Sequence, residues 1–157
     1  MHKNIRVIQY GLGPIGCATA KLVAERDNLD LVGAIDIDPA KRGKDVAEVI
    51  GLDAPLGIEV KTGVGEVGAG ADVVLHTTNS FFDQFANQVV ELLEAGFDVV
   101  STSEELSFPW QYNAAAATEL EVIAKKAGKT VLGTGVNPGF LMDSLPIFLT
   151  SIAQTVE

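Results

Sequence analysis

A single cysteine, a shortage of basic side chains and the lack of any long apolar run set the first limits. Cys17 stands alone, so an internal disulfide cannot form and a reducing cytoplasm is the expected home. Lys and Arg number 11 against 21 Asp and Glu, giving a net charge of −10 with the acids spread along the chain. A nucleic acid or an anionic membrane needs a basic face, and neither partner is expected. No apolar run reaches membrane-spanning length, and residues 1–6 lead into a strand rather than a signal peptide. Low-complexity tracts, repeats and internal linkers are missing too. The 157 residues, 47% of them hydrophobic, therefore read as about one globular domain with a core of its own. Metal-ligand spacing is lacking, since His2 and His76 lie far apart, and no Ser-His-Asp set or P-loop stands out.

What is present begins at residues 5–16, I-R-V-I-Q-Y-G-L-G-P-I-G. A short apolar run breaks into Gly11, Gly13 and Gly16, and a helical pattern follows. Strand, tight turn and helix in that order are the context of a dinucleotide-binding loop. Gly11 permits the sharp turn, Gly13 lets the backbone approach a pyrophosphate, and Gly16 lets the helix pack closely. The helix N-terminus offers unpaired N–H groups and a partial positive charge, and Pro14 in its first turn costs no helical hydrogen bond. Asp36 follows a second apolar strand, about 20 residues after Gly16, where an acidic residue grips the adenosine ribose.

The rest alternates strand and helix. The first helix is expected to end near Asn28, and the second strand to cover 29–38 and stop at Pro39. A short helix at 46–50, a short strand at 58–61 and a buried parallel strand at 71–77 follow. Thr78, Asn79 and Ser80 offer caps for a helix over 81–95, with Phe82, Phe85, Ala86, Val89, Leu92 and Leu93 towards the sheet and Gly96 closing it. A strand at 97–100 runs into polar residues 101–105. Asn113 caps an alanine-rich helix ended by Gly128, a strand follows at 130–132, and a last apolar helix spans 140–153, interrupted or restarted at Pro146. The pattern implies an α/β fold, a Rossmann-like doubly wound parallel sheet with helices on both faces.

Ligands of such a sheet bind at the carboxyl ends of the strands, where the strand order reverses. The glycine loop, Asp36, residues 76–79, residues 101–105 and residues 134–137 fall on that rim. A carboxylate accepts hydrogen bonds from a 2′-hydroxyl and repels a 2′-phosphate, so Asp36 favours NAD, with NADP left open. Lys41 and Arg42 could offset that repulsion if their loop folds back, and are otherwise solvated loop charges. His76 reads as a hydrogen-bonding wall residue rather than an acid–base group. Glu104 and Glu105 are candidates for holding a substrate amine or taking a proton, or else a helix start or a solvated face. No catalytic residue is assigned.

Four stretches together resemble a known family: V-I-Q-Y-G-L-G-P-I-G, H-T-T-N-S, V-V-S-T-S-E-E-L-S-F-P-W and G-T-G-V-N-P-G-F-L-M-D-S-L-P. They are similar to the amino-terminal half of the 2,4-diaminopentanoate dehydrogenases and, more broadly, to the nucleotide-binding domain of the dihydrodipicolinate reductase superfamily. The resemblance implies NAD(P)-dependent oxidoreduction at an amine or imine carbon. In the leading case 2,4-diaminopentanoate or a similar amino acid is deaminated through an imine that water hydrolyses. It implies that Gly11, Gly13, Pro14, Ile15 and Gly16 hold the pyrophosphate and Asp36 the ribose. His76, Thr77, Thr78, Ser101 and Thr102 would line the path to nicotinamide, and Asn137 would be the asparagine between domains.

The family's second domain, which supplies most of the substrate pocket, has no counterpart in these residues, so Glu157 is expected to be a fragment boundary. Residues 1–139 are read as the NAD(P)-binding domain and 140–157 as an apolar helix leading towards that missing domain. Uncovered, this helix would pack on another chain, so a homo-oligomer is expected. A reductase of the dihydrodipicolinate type and a non-catalytic nucleotide-binding module are the competing readings.

Overall fold

Each strand is a short run rich in Val, Ile and Leu followed by a helix or turn that carries the chain back, which forces parallel pairing. A computed structural model describes residues 3–68 and 70–156; His2 and Glu157, used above, lie outside them. In chain order the elements are β1 (Ile5–Tyr10), α1 (Pro14–Ala24), β2 (Leu29–Ile35), α2 (Val46–Ile50), β3 (Val60–Lys61) and β4 (Val73–His76). Then come α3 (Phe82–Glu94), β5 (Asp98–Ser101), α4 (Trp110–Ala127), β6 (Val131–Gly133) and α5 (Leu145–Thr150). The 6-stranded sheet is parallel throughout, in the order β3-β2-β1-β4-β5-β6, a Rossmann-like α/β fold. The order reverses between β1 and β4, which opens a crevice at their carboxyl ends.

Alternating side chains send each strand's residues to two faces. Ile8, Tyr10, Val74 and Val99 meet α3 and α4 through Phe85, Val89, Leu92 and Leu120. Ala34 and Val60 meet α1 and α2 through Ala20, Val46 and Ile50 on the other face. The apolar stripe expected on α3 is the face that packs, with Phe82, Phe85, Val89, Leu92 and Leu93 all buried. Among the described residues no helix is long and apolar enough to cross a membrane.

Several boundaries differ from expectation for local reasons. α1 ends at Ala24, short of Asn28, because Asn28 lends its carbonyl to Ile5 N–H at 3.1 Å where β1 starts to pair. β2 stops at Ile35, well before Pro39. Asp36 N–H still reaches Lys61 O at 2.9 Å, but β3 ends there, and Asp38 N–H turns to the Asp36 carboxylate at 2.8 Å. The expected residues do not take the first N–H of α3: its cap residue is Phe81, whose own N–H goes to Asn79 Oδ1 at 3.1 Å, and the Phe82 N–H is taken by Glu105 Oε2 at 2.6 Å from the loop after β5. Glu105 is thus neither a solvated charge nor free for substrate. Glu105→Ala is expected to lower stability by about 1–2 kcal/mol in urea denaturation, as for loss of a charged helix cap.

Asn113 does cap the alanine-rich stretch, accepting from Ala116 N–H at 3.1 Å, with one further turn before it at the kink (φ −150°). The helix expected at 140–153 is broken near Pro146 as expected, a wide π-helical turn, Phe140–Ser144, being followed by α5, whose first turn holds Pro146 and which ends at Thr150, short of 153. Neither piece buries a side chain, and Phe148 is 75% exposed.

Candidate functional site

The glycine loop is built by close backbone packing. Gly11 has φ +90°, and its N–H donates to Ile35 O at 2.8 Å while Thr77 Oγ1 donates to its carbonyl at 3.0 Å. Gly16 sits so near that carbonyl that a Cβ there would lie 1.8 Å from it. Gly13, by contrast, faces open space with nothing within 4 Å of a built Cβ, which leaves the backbone clear for a ligand. α1 starts at Pro14 with no side-chain cap and no acid in its first turn, so its free N–H groups and dipole point at the crevice without a protein anion.

Gln9 carries the loop from below. This fully buried amide donates to Gly11 O at 2.9 Å and to Thr77 Oγ1 at 2.8 Å, tying the loop after β1 to the one after β4. Its Oε1 is buried without a partner among the described residues. Sequence reasoning passed over Gln9, although an amide in an otherwise apolar strand was a visible signal. Cys17 packs beneath, giving its Sγ–H to Leu12 O at 3.1 Å, and burial raises its thiol above the ordinary value.

Asp36 closes one side. Its Oδ2 accepts from Leu12 N–H at 2.6 Å and from Lys41 Nζ at 3.1 Å, and its Oδ1 from Asp38 N–H. Burial would raise this carboxyl, but the backbone N–H groups of Asp38 and Leu12 and the Lys41 ammonium together hold it below its ordinary value. Lys41 is therefore not a solvated loop charge: its loop folds back and its ammonium also reaches Leu12 O at 3.0 Å. Arg42 stays at the surface, 3.8 Å from Glu66.

Two cavities flank the loop and share Thr77. The smaller, about 220 Å³, has Gly11, Gly13, Asp36, Lys41, Thr78 and Gln88 on its wall. The larger, about 550 Å³, has Ile15, Thr77, Thr102, Thr134, Asn137 and Glu104, its only carboxylate. Asn137 Nδ2 donates to Glu104 Oε1 at 3.3 Å. His76 and Ser101 line neither. Strand parity turns them to the α3 face, where both are 0% exposed and His76 Nδ1 lies 2.9 Å from Ser101 Oγ. Burial outweighs the Gln88 contact and lowers the His76 pKa, so it is a neutral internal brace rather than a wall residue. Among the described residues no cluster of three or more metal-ligating side chains forms.

No family model matches the chain. It is 30% identical over 162 residues to 2,4-diaminopentanoate dehydrogenase of Acetoanaerobium sticklandii, covering 99% of this chain and 44% of that protein. It is 29% identical over 151 residues to a 4-hydroxy-tetrahydrodipicolinate reductase of Syntrophomonas wolfei, covering 92% of this chain and 50% of the reductase. Among solved structures, an amine dehydrogenase from Mycobacterium smegmatis matches with a TM-score of 0.89 at 29% identity, covering 99% of this chain and 46% of that one. The chain is a homologue of these enzymes. It spans about half the length, or less, of each of them. A WlbA dehydrogenase from Chromobacterium violaceum, solved with NADH and UDP-GlcNAcA, matches with a TM-score of 0.64 at 25% identity over 85% of this chain and 36% of its own.

Proposed function

We propose that this chain is the cofactor-binding part of an NAD(P)-dependent dehydrogenase that oxidatively deaminates an amino acid of the 2,4-diaminopentanoate type. The observation that carries the reading is the pair of cavities meeting at Thr77, one closed by Asp36 and the other holding Glu104. They give a dinucleotide a bent path, with its pyrophosphate at the α1 N-terminus. Nicotinamide, when bound, supplies the hydride transfer. The protein's part is binding and placement. The first turn of α1 and the open backbone at Gly13 hold the pyrophosphate, and Asp36 accepts from the adenosine ribose. Glu104 pairs with a substrate ammonium or takes its proton, held towards the cavity by Asn137. His76 and Ser101 act on the loops from behind.

Residues 1–139 form the cofactor domain in this reading, and 140–157 lead to the surface that completes the substrate pocket. The exposed Ile147, Phe148 and Leu149 support a covering partner there, a further domain or a second copy. The one cysteine accords with a reducing cytoplasm.

NAD is the better fit because Asp36 repels a 2′-phosphate, while Lys41 beside it lessens the penalty for NADP. Calorimetric titration with NADH and NADPH tests both statements. Saturable binding, tighter for NADH, is expected; binding of neither overturns the reading. Lys41→Ala is expected to weaken NADPH roughly tenfold through loss of a charge-assisted contact, and NADH far less.

A further inference from the structure

β4, β5 and β6 leave one of their two faces without a helix among the described residues. Strand register sets Gln9, Leu75, Val100 and Leu132 in one row across the sheet, on the face opposite α3 and α4. α1 covers this face only over β1 and β2, where Ala20 meets Ala34. Val73, Leu75, Val100 and Leu132 are apolar residues of a parallel sheet, yet they enter neither of its two apolar clusters. Leu132 is exposed and the other three are only half-buried. Parallel strands are ordinarily covered on both faces. The bare strip is a trough. Leu75 and Val100 form its floor where the larger cavity reaches down the sheet, and Ile15 and Thr19 form its α1 wall. Exposed Leu22, a turn further along the same side of α1, continues that wall.

The same chain carries an apolar segment that nothing covers. Leu141, Met142, Ile147, Phe148 and Leu149 are all exposed. The one charged side chain of residues 140–156, Asp143, is taken up within the segment, where it accepts from Gly139 N–H at 2.7 Å. The Ser144 hydroxyl donates to Gly139 O at 2.8 Å and pins the turn from the other side. Held in this way, the segment does not fill its own chain's trough, since neither of its pieces buries a side chain. Area points the same way. The chain exposes 9528 Å², where a monomer of 16.5 kDa is expected to show about 7,500 Å². An excess of roughly 2,000 Å² on each of two chains is what an obligate homodimer hides.

We propose that two copies of this chain form a closed two-fold dimer in which the α5 segment of each lies in the trough of the other. Reciprocal insertion covers both bare surfaces at once, and it leaves neither free to propagate an open filament. α5 lies low in the trough, against Leu75, Val100 and Leu22, so the polar end at Thr102, Glu104 and Asn137 stays open to ligand. The proposal deepens the reading that residues 140–157 need a covering partner, by committing that partner to a second copy. It is read from assembly alone, so it fails or holds independently of cofactor binding.

The test is light scattering on size-exclusion fractions of the parent chain, of Phe148→Asp on α5, of Leu22→Lys on the trough wall, and of the two variants mixed. The parent is expected to be a dimer. Each variant alone is expected to dissociate at least roughly thirtyfold more readily, the scale of an interface hot spot. Both substituted side chains are exposed within the chain, so the far-UV circular dichroism of each variant is expected to match the parent. The mixture is expected to recover a dimer, because one parental α5 then meets one parental trough. Contact of α5 with α5 would instead leave Leu22→Lys dimeric, and that result overturns the proposal. So does a mixture that stays monomeric, or an assembly that grows beyond two copies with concentration. A monomeric parent overturns it as well and leaves the trough to a further domain; the NADH titration would still decide the cofactor reading.

Discussion

Gly16→Ala is expected to abolish measurable NADH binding and to lower the melting temperature of the chain. An added Cβ would sit 1.8 Å from Gly11 O and 2.6 Å from Thr77 Oγ1, where real contacts need well over 3 Å. The carbonyl cannot yield cheaply, because Gly11 is held by Ile35 O through its N–H and by Gln9 and Thr77 through its O. α1 must therefore move outward by on the order of 1 Å or more, and the N–H groups of its first turn move with it. Overpacking of this kind costs about 1–3 kcal/mol of stability. Displaced N–H groups would cost binding a further factor of roughly a hundred, since small misplacements of a binding group are felt at that scale. Gly13→Ala is the control. Its Cβ meets nothing within 4 Å, so the variant is expected to melt like the parent and to lose NADH affinity alone. Thermal melts and NADH titrations of the pair separate packing from ligand approach; a Gly16→Ala protein that melts and binds like the parent would overturn the account of the loop.

Asp36→Ala is expected to cost both stability and cofactor, by about 2–4 kcal/mol and more than tenfold in NADH affinity. The carboxylate satisfies the N–H of Leu12, a residue only 2% exposed, and pairs with Lys41. Its removal leaves a buried donor and a half-buried ammonium without their partner, which is the costly side of breaking such a pair. Because the folded carboxyl lies below its ordinary value, this stabilisation is present above about pH 4 and fades as pH falls through the folded value. Urea denaturation of the parent and of Asp36→Asn between pH 7 and pH 3 is expected to show their stabilities converging on the acid side. A constant difference across that range would mean that Asp36 is not held ionised by these contacts.

The readings that succeeded from sequence are those governed by local physics. Short apolar runs located β1 and β4, helical spacing located α3, and alanine content located the later part of α4, whose ends Asn113 and Gly128 marked because capping is a property of a few adjacent residues. The readings that failed depend on groups far apart in the chain. Glu105 displaced the nearby Ser and Asn as the cap of α3 because the loop after β5 passes over the helix start. His76 and Ser101 stand next to Thr77 and Thr102 in sequence but on the opposite face, so adjacency on the rim did not make them cavity residues.

By itself, then, the sequence determined the alternation of strand and helix, the glycine loop with its acidic partner at Asp36, and the kinship with amine dehydrogenases and dipicolinate reductases. These rest on periodicity, on steric demands at single glycines and on motif spacing, all of which are written along the chain. Only the tertiary structure decided that Lys41 folds onto Asp36, that Gln9 ties two loops together, that Glu104 and Asn137 share one cavity, and that His76 is buried between Ser101 and α3. Each of these contacts joins side chains from separate elements, and their distances are set by how the sheet and helices pack rather than by any spacing in sequence.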